Sequence, residues 1–291
     1  DRPSKQDMDA LPAAKADALA SIGRAYLAAR LSGQTNDLGG RMAFTGHNDM
    51  SSLRKAGDSR PIVAVYASNW FDFPHALGMN RFTDFLDWIK ATLNVAISTP
   101  SVRWLFRAHP CDKWYGGMTL KDVMPHNLPE HIDLLPDDCS GVAVMQLSDA
   151  LVTYHGTAAL EYATQGKPVI VADQGWYHDC GFTLFPDSRE HYLSLLSQNW
   201  FKLIDTNYAR RQAEVFAGWY FCNPDWQTGA TLSDDSDREL IKSSMASHLK
   251  IYDASIRKEV ATIREWLTDG SHGYHTYKMA HSDGYVLSNT I

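Results

Sequence analysis

Hydrophobic and polar positions fall into three textures along the chain. From residue 8 to 32 the sequence is Ala-rich, with Leu11, Leu19, Ile22, Leu27 and Leu31 spaced as in one helix. Residues 33–60 (GQTNDLGGRMAFTGHNDMSSLRKAGDSR) are rich in Gly, Asn and Ser and read as loop or linker. Short apolar runs follow. PIVAVYA (61–67), VRWLFRA (102–108), ALVTY (150–154) and PVIVAD (168–173) have the continuous β-branched character of strands buried on both faces. Between them, RFTDFLDWIKATLNVAI (81–97) sets Phe82, Phe85, Leu86, Ile89, Leu93 and Ile97 on one helical face. Thr157–Gln165 predicts a helix of about two turns, closed by Gly166. DSREHYLSLL (187–196) opens on Asp187 with Glu190 three residues on, a capping-box-like start.

Strands alternating with helices at this spacing predict a doubly wound α/β domain. It is a Rossmann-like parallel sheet over about 60–205, with helices on both faces. The expected division is an N-terminal helix and linker (1–60), a ligand-binding domain (61–232) and a C-terminal segment (233–291). In that last segment Ile241, Met245, Leu249, Tyr252, Ile256, Val260, Ile263 and Leu267 recur every three or four residues. They predict a long amphipathic helix over 233–269, or two nearly collinear ones, stopped by Gly270. The aromatic run GWYFCNPDWQTG (218–229) reads mainly as core and interdomain packing.

Composition narrows the classes without choosing one. The 291 residues are 44% apolar and 21% charged, as in ordinary globular proteins. A net charge of −7 argues against nucleic acid as the main partner, since no basic excess is present to neutralise phosphates. Cys111, Cys139, Cys180 and Cys222 form no CxxC pair or zinc spacing and are expected as free thiols. No run approaches the ~18 apolar residues of a membrane span, and no signal peptide is visible. The expected location is therefore cytoplasmic, with peripheral association at the inner face of a membrane allowed. The chain begins at Asp1 rather than Met, so a leader or a further domain would fall outside it.

Parallel sheets bind ligands beyond the carboxyl ends of their strands, which selects the loops after Ala67, Phe106 and Tyr154. No GxGxxG follows the first strand and no GxxxxGK[ST] occurs, so a dinucleotide or P-loop site is not expected. After Tyr154, the peptide N–H groups of Gly156, Thr157 and Ala158 open a helix, and His155 and Thr157 add polar side chains. A phosphate suits such a place. Glu161, one turn further on, could accept from ribose hydroxyls. The competing reading makes Thr157 a plain helix cap and His155 a core imidazole. In FRAHPCD (106–112), Pro110 ends the strand and biases His109 to an extended conformation at the same sheet edge. Arg107 either joins the site or turns to the other strand face for structural work. His109, His155 and Asp112 match no recognised zinc set, and no metal is expected. SNWFDFPHALG (68–78) supplies Asn69 as a donor contact and Asp72 as a nucleophile or base at a sugar carbon, or a turn residue. Trp176, Tyr177 and His178 in DQGWYHDCGF (173–182) are candidates to stack on a base or sugar.

Together, RAHP (107–110), YHGTAALEYATQGKPVIVAD (154–173) and the alternation of elements resemble the C-terminal, nucleotide-binding half of GT-B glycosyltransferases. The group in question serves capsule polysaccharide biosynthesis and includes transferases of the acidic sugar Kdo. The matching positions are Arg107, His109 and Pro110, then His155, Gly156, Thr157 and Glu161, then Gly166, Lys167 and Pro168. The resemblance implies that His109 and the 155–157 turn hold the nucleotide phosphate, with Glu161 near the ribose. It implies a CMP-activated acidic sugar as donor substrate, no metal or other cofactor, and a glycan or glycolipid acceptor. Asp72 is the nearest match to an aspartate that acts on the anomeric carbon, although SNWFDFPH departs from the capsule pattern. The 60 residues before the domain are too few for the first domain of a GT-B enzyme, so they are expected as a remnant of it or as the start of a fragment. UDP- or GDP-sugar transfer, nucleotide-sugar epimerisation and a non-catalytic nucleotide-binding module are the alternatives.

Overall fold

The computed structural model describes residues 3–34, 50, 53–54, 57–70, 81–112 and 116–222, with positions 261, 264 and 268 of a further helix. The rest of the helix expected over 233–269 lies outside the described residues, as does most of the 33–60 linker.

The N-terminal helix of the sequence reading is two helices, α1 (Lys5–Asp9) and α2 (Ala13–Leu31). Pro12 separates them: it takes the N-cap position of α2 with an extended ψ of 138°. In α1, Asp7 closes a capping box with Ser4, while Asp9 accepts from Lys5, Tyr208 and Gln212. Helix α2 buries Leu19, Ala20, Gly23, Leu27 and Arg30 and leaves Ile22 in solvent.

The four strands expected from the apolar runs are present as β1 (Ile62–Tyr66), β2 (Arg103–Arg107), β4 (Ala150–Thr153) and β5 (Val169–Val171). Between β1 and β2 runs α3 (Phe85–Ile97), which starts four residues later than its apolar pattern because Asp84 caps it by accepting from the Asp87 N–H. Phe85, Ile89 and Leu93 face the core as expected; Ile97 is exposed. After β2 come a single turn, α4 (Leu120–Val123), and an edge strand, β3 (Ile132–Leu134). Then α5 (Gly141–Leu147) precedes β4, and α6 (Ala158–Thr164) joins β4 to β5, ending at Gly166 with φ +70°. Helix α7 (Arg189–Leu196) is capped by Ser188, whose hydroxyl accepts from His191 N–H; Asp187, the expected cap, bonds the His191 ring instead. Helix α8 (Thr206–Ala217) runs into a π-helical turn, Gly218–Cys222.

All five strands are parallel, in the order β3-β2-β1-β4-β5. Strands β1, β2, β4 and β5 each feed both faces by alternation. Ile62, Ala64, Leu105, Leu151, Val169 and Val171 join a core with α2, α5, α6 and α8. Val63, Val65, Trp104, Phe106, Val152 and Ile170 join another with α3 and α7. The N-terminal helices therefore belong to the same core as the sheet. The crossing of α2 and α8 is so close that a Cβ on Gly23 would strike the Glu214 carbonyl, and one on Gly218 the Leu19 carbonyl. The cysteines are free thiols. No helix among the described residues is long and apolar enough to cross a membrane.

Candidate functional site

Chain order reverses at β1: β2 and β3 follow it on one side, β4 and β5 lie on the other. This is the switch point at which the loops after β1 and β4 part and leave a crevice. The strand ends there are level. Tyr66 pairs with Arg107 on one side and with Thr153 on the other, and Ala67 N–H extends the ladder to Arg107 O at 3.0 Å. Counting two residues past each paired end gives His109, Ser68 and His155. With strands ~4.8 Å apart, the two histidines are set on the order of 10 Å from one another across the end of β1.

His109 is held by its own turn. Its Nδ1 accepts the Cys111 N–H at 3.2 Å, and its carbonyl accepts the Asp112 N–H at 3.1 Å. With Nδ1 accepting, the neutral ring carries its proton on Nε2. Half-buried His155 lies against Tyr154 (5.1 Å) and Phe85 (6.0 Å). Its other side is closed by Gly175, where a Cβ would come within 2.9 Å of the His155 Cβ. Gly175 thus gives His155 its room.

The 155–157 turn is braced from within. Gly156 donates its N–H to Thr153 Oγ1 at 3.3 Å, so that amide is engaged by the chain, and Gly156 O accepts the Tyr177 hydroxyl at 2.6 Å. Thr157 takes the N-cap position but forms no side-chain cap bond. Below the turn, Asp173 is fully buried and accepts from Tyr154 Oη at 2.9 Å, Arg81 N–H at 3.1 Å and Gln174 N–H at 2.7 Å. Burial, together with the Asp173 hydrogen bond, pushes the Tyr154 hydroxyl far above its ordinary pKa. This tie links the β4 and β5 ends to the start of the α3 segment. In the sequence Asp173 is only the last residue of PVIVAD, and an aspartate directly after an apolar run is the signal that marks it.

Other expected site residues are placed in the frame around the crevice. Arg107 is 5% exposed, donates to Cys139 O at 3.2 Å and lies 5.0 Å over the Tyr66 ring, the structural alternative for this residue. Burial raises the Tyr66 hydroxyl to about 12, opposed by the Arg107 charge. Glu161 is buried and ion-paired to Arg30 of α2 at 3.2 Å. Tyr177 is fully buried and reaches the turn from inside rather than as a stacking surface. Trp176 packs on Phe216, Tyr220 and Phe221, and the His178 ring on Phe185, with its Nδ1 bonded to Gly175 O. Asn69 is buried at the end of β1. Asp72 lies outside the described residues. Lys167 of the Gly-Lys-Pro element donates to the carbonyls of Met145, Gln146 and Ser148 at the end of α5, a structural cap.

No protein-family model matches the chain, and no curated protein matches it. Among solved structures it is similar to KpsC of Thermosulfurimonas dismutans, a beta Kdo 2,4 transferase. That likeness has 15% identity and a TM-score of 0.46, and covers 69% of this chain and 54% of that one. It is similar to SnogD, a glycosyltransferase from Streptomyces nogalater, at 16% identity and TM-score 0.30, over 56% of this chain and 40% of that one. The calicheamicin glycosyltransferase CalG4 gives 16% identity and TM-score 0.36, over 60% and 42%. The chain thus spans about half the length of these structures or less.

Proposed function

We propose that this chain is the donor-binding part of a glycosyltransferase that uses a nucleotide-activated sugar, with CMP-Kdo as the best reading of the donor. The observation that supports it is the level placement of His109 and His155 on either side of β1 at the switch point of the sheet. Two imidazoles at that spacing suit a phosphate and the groups attached to it far better than an apolar ligand. The RAHP element favours CMP through its resemblance to transferases of acidic sugars.

In the reaction, the bond from the anomeric carbon to the phosphate oxygen breaks and its electron pair stays on the phosphate. An acceptor hydroxyl oxygen bonds to the same carbon and its proton passes to solvent. The histidines stabilise the charge left on the nucleotide. Asp72 is assigned the anomeric carbon, and a glycan or glycolipid serves as acceptor.

Calorimetric titration with CMP, UDP and GDP tests the reading. CMP is expected to bind most tightly, and His109→Ala to weaken it by about 1–3 kcal/mol for a lost charge-assisted hydrogen bond. Normal binding by that variant would remove the phosphate site from this edge.

A further inference from the structure

Asp112 closes the turn that carries His109, its N–H donating to the His109 carbonyl at 3.1 Å. Both carboxyl oxygens are shut off from solvent, and neither makes a well-formed hydrogen bond. The peptide N–H groups of His109 and Trp70 favour its anion, His109 more than Trp70, without reaching full hydrogen-bond geometry. Burial acts against the anion, and so does the charge of Asp137 on the loop after β3; the result is a pKa raised to about 6. Among the described residues Asp137 is the charged group that acts on it, while His109, the titratable residue of its own turn, and Trp70 of the β1 loop meet it through their peptide N–H groups. The Trp70 indole N–H is also buried with no acceptor. Unmatched polar atoms therefore sit on the adjoining loops after β1 and β2, beside the histidine assigned to phosphate. A buried polar group without a partner is costly in a folded chain, and a ligand is what these atoms lack.

We propose that Asp112 serves the site as a neutral carboxylic acid, donating its proton in a hydrogen bond to a phosphate oxygen of the nucleotide held by His109. This rests on the phosphate reading of that edge. An ionised Asp112 would repel the phosphate, whereas the acid supplies one O–H donor and retains one acceptor oxygen, which the Trp70 N–H can meet. The proton comes from solvent: binding takes up one proton per complex when the free protein is ionised at this residue, and release returns it. The nucleotide and the proton thus bind cooperatively.

The test is calorimetric titration with the methyl ester of CMP, whose phosphodiester does not itself titrate near neutrality, at pH 7 in buffers of different ionisation enthalpy. Wild type is expected to take up close to one proton. Its affinity is expected to fall by up to about tenfold per pH unit above 6. In Asp112→Asn, a neutral group that can still donate, uptake disappears and affinity becomes nearly independent of pH. In His109→Gln, which removes the other titratable group on the turn, binding weakens but uptake persists, so the proposal stands even if Asp112→Asn does not fold. Uptake that survives in Asp112→Asn, or that vanishes in His109→Gln while the ester still binds, overturns the assignment, as does wild-type binding without uptake. Failure of the ester, CMP, UDP and GDP all to bind removes the phosphate reading itself, and this inference with it.

Discussion

Arg30 of α2 and Glu161 of α6 are joined in a buried ion pair, with the Arg30 Nη2 and Nε at 3.2 and 3.3 Å from one carboxylate oxygen and both side chains 8% exposed. The pair fastens an N-terminal helix to the helix that leaves the 155–157 turn. Removing one partner strands the other charge in the core, which costs about 3–5 kcal/mol, while replacing both with apolar groups is often close to neutral. Arg30→Met is expected to lose that much in urea unfolding, and the double variant Arg30→Met/Glu161→Leu to regain most of it. If Glu161 served only a ribose, Arg30→Met would leave stability unchanged.

Gly23 and Gly218 meet backbone from the partner helix directly, so their neighbours cannot retreat by changing a rotamer. Gly23→Ala and Gly218→Ala are each expected to destabilise by about 1–3 kcal/mol or more, as overpacking does. Because both act on the α2–α8 crossing, the double variant should lose less than the sum of the two. Chemical denaturation of the three proteins measures the coupling.

Gly175→Ala acts on the site rather than on the fold. The added methyl lies 2.9 Å from the Cβ of His155, a side chain on a loop that can shift. The expected result is nucleotide affinity reduced several-fold, with a change in melting temperature of only a few degrees. Equal affinity in the variant would show that the position of His155 is irrelevant to binding.

The sheet is legible in the sequence where strands are buried on both faces, because IVAVY, RWLFR and ALVT are continuous apolar or β-branched runs between polar turns. Strand β3 is not, since three residues at an edge paired only with β2 leave almost no pattern. Helix α5 begins on a glycine and buries Gly141, Ala143, Val144 and Met145, so it shows no amphipathic stripe. At the site, Pro110 and the His-Gly-Thr turn mark the two strand ends locally. Their meeting depends on strand order, which no local pattern contains. The same limit hides what became of Glu161 and Tyr177: their partners Arg30 and Gly156 are 131 and 21 positions away in the chain.

Asp112 makes a stability prediction that needs no ligand. Its folded-state pKa of about 6 lies above the ordinary value of 3.8, so between those values the folded protein holds a proton that the unfolded chain has released. Its contribution is therefore most favourable below pH 4 and is lost as the pH rises through 6, after which it is constant. Asp112→Asn removes the penalty and is expected to stabilise the protein by about 1–3 kcal/mol at pH 7.5, after allowance for the partial exposure of the residue. That gain should shrink steadily from pH 6 to pH 4. Asp58, held down at about 2 by its hydrogen bonds to Arg60, loses its contribution only as the pH falls below about 4, and so leaves the window clear. Melting temperatures of both proteins from pH 4 to 8 decide the matter: curves that stay parallel throughout would mean that Asp112 has the same pKa folded and unfolded.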